Sequence, residues 1–209
     1  MPICFENPID FVVFDFDGVF TDNTVWVTQD TGIELVRCSR ADGLGIALMH
    51  QAGVPMYVLS TEVNPVVEAR CQKLGLEVEH GIADKGTRLK KLLNERGIDP
   101  SRVAYVGNDV NDAGCLELVG TAVVVADAHP DVIGLADHVL SRSGGFGAVR
   151  EFCDALLAQR DAEDSQAEVS PKRPSASSTF DANSFRSKRG AKSSRGRERK
   201  LPSGDTTLV

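Results

Sequence analysis

The segment Phe11-Val-Val-Phe-Asp15-Phe-Asp17-Gly-Val-Phe-Thr21-Asp22 restricts the possible folds of this chain more than any other. Four consecutive apolar residues predict a strand buried on both faces, which has no need to alternate. Two carboxylates one residue apart follow at once, and then a glycine. Carboxylates at the C-terminal end of a buried parallel strand lie where open α/β sheets bind their ligands. Asp15 can attack an electrophile and Asp17 can move a proton. With a cation, the pair suits phosphoryl transfer through an aspartyl-phosphate. A calcium loop of the helix–loop–helix type also opens on paired Asp residues. Here its fifth and twelfth positions would be Val19 and Trp26, which are not useful ligands, and the flank is strand-like.

Of the 209 residues 42% are hydrophobic, enough for one domain with a real core. Composition changes near residue 160. Residues 161–209 hold 10 Lys/Arg and 7 Asp/Glu among Ser and Pro, so a formal charge of −7 for the whole chain leaves residues 1–160 strongly acidic. Too few apolar residues remain in 161–209 to bury a core, which predicts a disordered Ser/Arg/Lys-rich tail. The basic run 186–200 lacks the interleaved aromatics of a stacking platform, so nucleic-acid binding is not expected of it. Cys4, Cys38, Cys71, Cys115 and Cys153 are odd in number and form no C-x-x-C, which argues against a disulfide framework or a structural zinc site. With no leader and no apolar run long enough for a bilayer, the expectation is a reduced, cytoplasmic protein with no membrane contact.

The order of elements predicts an α/β fold with a doubly wound parallel sheet. After the first strand, 25–36 reads as a hairpin with turn chemistry at Asp30-Thr-Gly32. Helices are expected at 44–51, 65–74 (capped by Asn64), 85–96 (capped by Asp84), 112–119, 131–135 and 149–158. Strands are expected at 56–59, 76–78, 103–106, 122–125 and 139–140. Strands alternating with helices at this spacing wind right-handed around one sheet.

That order brings polar residues to three strand ends: Asp15 and Asp17; Ser60 with Thr61 and Glu62; and Gly107-Asn108-Asp109-Val-Asn111-Asp112. Lys85 opens the helix between the last two. A phosphate monoester is an anion that a carboxylate nucleophile would repel. Magnesium held by Asp15, Asp17, Asn108, Asp109 and Asp112 would supply the missing positive charge. Lys85 would add a point charge and Ser60 a hydrogen bond to a phosphoryl oxygen. Singly, Lys85 reads as a solvated helix lysine and Asp109 or Asp112 as a cap; the conjunction carries the functional reading.

With these residues in place, the chain resembles the haloacid dehalogenase superfamily over about residues 8–157. Asp15-Phe-Asp17-Gly matches its first motif, Ser60 its second, Lys85 its third and Gly107-Asn-Asp109-Val-Asn-Asp112 its fourth. Only 42 residues separate Asp17 from Ser60, and 24 separate Ser60 from Lys85. Neither gap holds a cap domain, which needs about 50 residues or more. The resemblance therefore narrows to the cap-less branch that contains 3-deoxy-octulosonate 8-phosphate phosphatases, acylneuraminate 9-phosphate phosphatases and the C-terminal domain of acylneuraminate cytidylyltransferases. Arg40-Ala-Asp-Gly-Leu-Gly-Ile46 and Gly144-Gly-Phe-Gly-Ala-Val-Arg150-Glu151 match that branch.

The resemblance implies a magnesium-dependent phosphatase of carbohydrate biosynthesis, acting on a 2-keto-3-deoxy sugar-acid phosphate. It further implies a homotetramer joined through the 25–36 hairpin, with Ser143–Gly147 as a mobile piece near the active site. Glu62 with Lys73 favours an acylneuraminate 9-phosphate (sialic acid-type) substrate over the eight-carbon sugar. Thr61, Glu62, Arg70 and Lys73 would bind substrate, with Arg70 or Lys73 pairing with its carboxylate. The fourth motif usually begins Gly-Asp-Asp, whereas here Asn108 stands second. The alternative is thus a weakly active or inactive tetramerising module that partners a cytidylyltransferase. A phosphoacceptor of response-regulator type shares the strand-end Asp and the lysine but leaves Asp17 without a purpose.

Overall fold

The computed structural model describes residues 3–169. Eight strands and six helices follow one another as β1 (Phe11–Phe14), β2 (Thr21–Val27), β3 (Glu34–Cys38), α1 (Arg40–Gln51), β4 (Met56–Leu59), α2 (Val66–Leu74), β5 (Glu77–Glu79), α3 (Lys85–Arg96), β6 (Val103–Gly107), α4 (Ala113–Leu116), β7 (Thr121–Val124), α5 (Pro130–Ile133), β8 (His138–Val139) and α6 (Ala148–Val169). Six strands form one sheet in the order β5-β4-β1-β6-β7-β8, every pair parallel. The chain winds one way from β1 through β4 to β5, then returns to the other side of β1 with β6. That places the topological switch point between β1 and β6, beside the ends of the residues singled out above.

The buried strands are continuous apolar runs, as a sheet covered on both faces requires. Every residue of β1, β4, β6 and β7 is buried. Phe14 and Phe20 meet edge to face, with ring centroids 5.5 Å apart, and Phe14 meets Phe152 of α6 at 5.8 Å. Such aromatic contacts contribute about 0.5–1.5 kcal/mol each beyond area burial. They fasten the loop after β1 to the helix that closes the domain.

Asp84 and Asn64 cap as read from the sequence, whereas α1 starts at Arg40, four residues before the expected 44, on a cap by Ser39 that lies outside the sequence expectation. Ser39 accepts from Ala41 N, Asp84 from Thr87 N at 3.0 Å, and Asn64 Oδ1 from Val66 N at 3.1 Å. The segment 112–119 differs from expectation: a 3-10 turn over Val110–Asp112 precedes a helix of only four residues. Helix α6 runs to Val169, past the expected domain end at 160, so the predicted tail begins as helix. The rest of that tail, 170–209, lies outside the described residues.

Two segments distant in sequence meet across α1 and α6. Asp42, buried in α1, accepts from Arg150 N at 2.9 Å. A Cβ on Gly45 would lie 3.2 Å from Arg150 Cα, so the helices approach closely enough that a larger residue would have to push them apart by a few tenths of an ångström. The Gly144–Glu151 run is therefore a packing partner of Arg40–Ile46.

Candidate active site

The strand ends build one cavity of about 370 Å³. Asp15, Asp17, Thr61, Glu62, Asn108 and Asp109 line it, and the β2–β3 hairpin forms one wall. Asp15 leaves β1 with its N–H bonded to Val106 O at 2.9 Å, which fixes its backbone between the two central strands. Gly18, at φ +80°, lets the chain turn back. A Cβ there would fall 2.0 Å from Asn108 Nδ2, so the turn must be glycine for the Asn108 side chain to lie across it.

Lys85 is buried at the start of α3, and its Nζ lies 2.7 Å from both Asp15 Oδ1 and Asp112 Oδ1. A solvated helix lysine is thereby ruled out. Burial raises the Asp15 carboxyl to about 7; the Asp112 charge adds to the rise and Lys85 opposes it. Burial also raises Asp17, against a hydrogen bond from Thr21 Oγ1 at 3.2 Å. An upward shift suits a group that must donate a proton and later take one back.

The amide oxygen of Asn108 faces two acceptors, the Asp17 carbonyl oxygen at 2.9 Å and Asp15 Oδ2 at 3.0 Å. The Asn108 amide oxygen is repelled by both neighbours at such separations unless the amide turns over to donate, or a cation lies beside it. The spacing equals the oxygen–oxygen edge of an octahedral shell with metal–oxygen distances of about 2.0–2.1 Å, the magnesium geometry. The donors are one carboxylate, one peptide carbonyl and one carboxamide, all hard oxygens. Residues of this chain thus fit a magnesium ion. Among the described residues no cluster of three His, Cys, Asp or Glu side chains forms a metal site.

One expectation changes. Asp112 is fully buried and already accepts from Lys85 Nζ, Tyr105 Oη (2.6 Å), Asn108 N (2.8 Å) and Asp109 N (3.2 Å). The 3-10 turn aims it inward, so it anchors Lys85 and the fourth motif and is not a cation ligand. The group that Asp17 presents to the Asn108 amide oxygen is its backbone carbonyl, and Asp109 lines the cavity with one oxygen capping Val110 N at 2.7 Å.

Arg70 and Lys73 do not line the cavity. Helix α2 starts at the cavity with Val66 and carries later turns away at about 5.4 Å each. Arg70 Nη2 instead donates to Ser39 O at 3.2 Å, and Lys73 is exposed. Ser60 is buried at the end of β4, and its Oγ accepts from Glu62 N at 3.1 Å, leaving its proton to donate.

The glycine-rich 143–147 segment lies against the back of the β1 turn. A Cβ on Gly144 would lie 1.9 Å from Gly18 O, and Gly145 N donates to Val19 O at 3.1 Å. Through these contacts it braces the turn that bears Asp17. Sequence reasoning missed Thr21, Tyr105, Asn23 and Glu34. The first two carry no recognisable spacing, and the last two reach the cavity only because the hairpin folds over it.

Over 153 residues the chain is 39% identical to 3-deoxy-D-manno-octulosonate 8-phosphate phosphatase KdsC of Salmonella typhi, covering 73% of this chain and 80% of that protein. The chain belongs to the haloacid dehalogenase-like hydrolases. A family model described as haloacid dehalogenase-like hydrolase matches residues 66–151. Among solved structures, a candidate HAD family hydrolase of Streptomyces avermitilis superposes with a TM-score of 0.72 at 48% identity, over 75% of this chain and 91% of that one. The octulosonate phosphatase of Yersinia pestis gives 0.70 at 34%, over 74% and 84%. That of Moraxella catarrhalis, solved with magnesium, phosphate and KDO, gives 0.71 at 27%, over 77% and 92%. In this haloacid dehalogenase-like hydrolase all five cysteines are free, and among the described residues no helix is long and apolar enough to cross a membrane.

Proposed function

We propose that this hydrolase is a magnesium-dependent phosphatase that cleaves the phosphate monoester of a 2-keto-3-deoxy sugar acid. The observation that carries the reading is the division of labour on Asp15: Oδ1 is bound by Lys85, and Oδ2 faces the Asn108 amide, which also faces the Asp17 carbonyl. Asp15 Oδ1 attacks phosphorus, the bond to the sugar oxygen breaks, and Asp17 protonates the departing alkoxide. Asp17 then takes a proton from water as its oxygen attacks the aspartyl-phosphate, releasing phosphate and restoring Asp15. Lys85 neutralises charge at Asp15 throughout, and Ser60 donates to a phosphoryl oxygen. Magnesium held by Asp15 Oδ2, the Asp17 carbonyl and Asn108 would supply positive charge for the dianionic ester.

The eight-carbon 3-deoxy-octulosonate 8-phosphate is the first substrate to test, because similar phosphatases at 39% and 34% identity carry that name. The acylneuraminate 9-phosphate alternative keeps Glu62 at the cavity and loses Lys73, which is exposed on α2. Phosphate release from both esters, with magnesium and with chelator, beside Asp15→Asn, tests the reading. Chelator-sensitive turnover abolished by the substitution is expected. No turnover of either ester by folded protein overturns it and favours the assembly module partnering a cytidylyltransferase. Asn108 supports that second reading, since its amide, turned over, closes the oxygen cluster with its own hydrogen bonds.

The hairpin is the proposed oligomer surface. Val25, Trp26, Val27, Ile33 and Leu35 are each more than half exposed, Trp26 at 71%. An apolar face of this kind on a two-stranded ribbon calls for a partner. A homotetramer built on it would also shelter the cap-less cavity whose wall it forms.

A further inference from the structure

The rim of the cavity is tied by two hydrogen bonds that cross between loops. Glu34, the first residue of β3, accepts at Oε2 from Asn64 Nδ2 at 3.2 Å, joining the hairpin to the loop before α2. Thr61 Oγ1 accepts from Asn111 Nδ2, also at 3.2 Å, joining that loop to the fourth motif. Asn23, in the irregular stretch between the paired Thr21 and Val25 of β2, is the one non-glycine among the described residues with positive φ, at 58°. Strained backbone of this kind persists where the surroundings hold it, and here the position faces the cavity.

Charge at this rim has one sign. Glu34 and Glu62 join Asp17 and Asp109, and among the described residues lining the cavity none is Lys, Arg or His. Lys85 lies behind Asp15 and is engaged by two carboxylates. Glu34 and Asp17 line the same cavity, so the Glu34 charge acts on whatever occupies it. The cation fitted above would act at the phosphoryl end, not at the rim. What the rim offers a leaving group is carboxamide and hydroxyl groups suited to sugar hydroxyls, together with carboxylates that repel an anion.

We propose that Glu34, held in place by Asn64, is a specificity-determining residue: it admits leaving groups that present hydroxyls at the rim and rejects those that place a carboxylate there. The inference rests on the phosphatase reading and narrows its substrate class. The repulsion acts on any leaving group whose carboxylate stays within the cavity that Glu34 lines, and it weakens as that carboxylate is carried farther from Glu34.

Matched pairs that differ only in the carboxylate separate this from other causes: glycerol 3-phosphate against 3-phosphoglycerate, and glucose 6-phosphate against 6-phosphogluconate. Inhibition constants against p-nitrophenyl phosphate hydrolysis, and dissociation constants by calorimetry, read binding whether or not the esters are cleaved. The unsubstituted protein should bind the uncharged-end member of each pair more tightly. Glu34→Gln keeps an acceptor for Asn64 and removes only the charge, so the ratio should fall by about threefold or more at low salt, with the difference shrinking as salt rises. Glu34→Lys should reverse the preference. An unchanged ratio in both variants, or no binding of any of the four esters, overturns the role of Glu34. Absence of p-nitrophenyl phosphate turnover would instead overturn the phosphatase reading, while the calorimetric ratio still decides Glu34.

Discussion

Lys85 Nζ stands 2.7 Å from Asp15 Oδ1, both side chains almost wholly removed from solvent. A lysine that opens α3 thereby touches a carboxylate that ends β1, with β2, β3, α1, β4, α2 and β5 between them in the chain. Asp112, at the same distance from Nζ, completes a buried triad of one cation and two carboxylates. The arrangement leaves the nucleophile partly neutralised before any substrate arrives, and it commits the lysine to the site.

Replacing Lys85 by Met leaves two buried carboxylates without their cation. Breaking a buried pair in this way costs about 3–5 kcal/mol, and loss of the charge beside the reacting oxygen lowers kcat/KM by about 10²–10³. Urea unfolding and turnover measure the two effects. Lys85→Met with Asp112→Asn should recover part of the stability and none of the activity, because removing the second carboxylate relieves the buried charge without restoring a cation beside Asp15.

Asn108→Asp exchanges a neutral oxygen for a charged one 3.0 Å from Asp15 Oδ2. Metal-free protein should unfold at a lower temperature, since two like charges then face each other. Magnesium should raise the midpoint by more than in the unsubstituted protein, and half-maximal activity should need at least about threefold less magnesium. Thermal unfolding across a magnesium titration reads both signs.

Magnesium binding should weaken as pH falls below about 7, where burial and the Asp112 charge have brought Asp15. The folded chain holds a proton there that the unfolded chain releases near 3.8, so in metal-free protein Asp15 lowers stability progressively from about pH 4 to about pH 7. A cation must displace that proton, and apparent affinity should rise by up to about tenfold per unit through this window and level off above it. The magnesium-induced shift in unfolding midpoint, followed from pH 5.5 to 8.5, should grow and then flatten. In Asp15→Asn the pH dependence should vanish.

Trp26→Glu puts a charge on the exposed hairpin face. Sedimentation should show the assembly falling to smaller species, with the circular dichroism of the domain unchanged because Trp26 packs on no buried core. An unaltered oligomeric state would remove the hairpin as the contact.

Local pattern was enough for the parallel α/β fold, because each element carries its own evidence. Apolar runs such as Phe11–Phe14 mark buried strands, Asp84 and Asn64 mark helix starts, and alternation marks the hairpin. Strand order then brings Asp15, Ser60 and Asn108 together without knowledge of side-chain positions. Residue type alone could not say which way each polar group turns. Arg70 and Lys73 share a helix with cavity-lining Val66, yet the axis of α2 carries them off. Asp112 follows Asp109 by three residues, yet a tight turn sends it inward to Lys85 while Asp109 stays at the cavity. The chemistry available at this site was therefore set by the order of residues along the chain. The division of that chemistry among them was decided by packing, because a carboxylate is nucleophile, ligand, cap or anchor according to which donors the fold brings within about 3 Å of it.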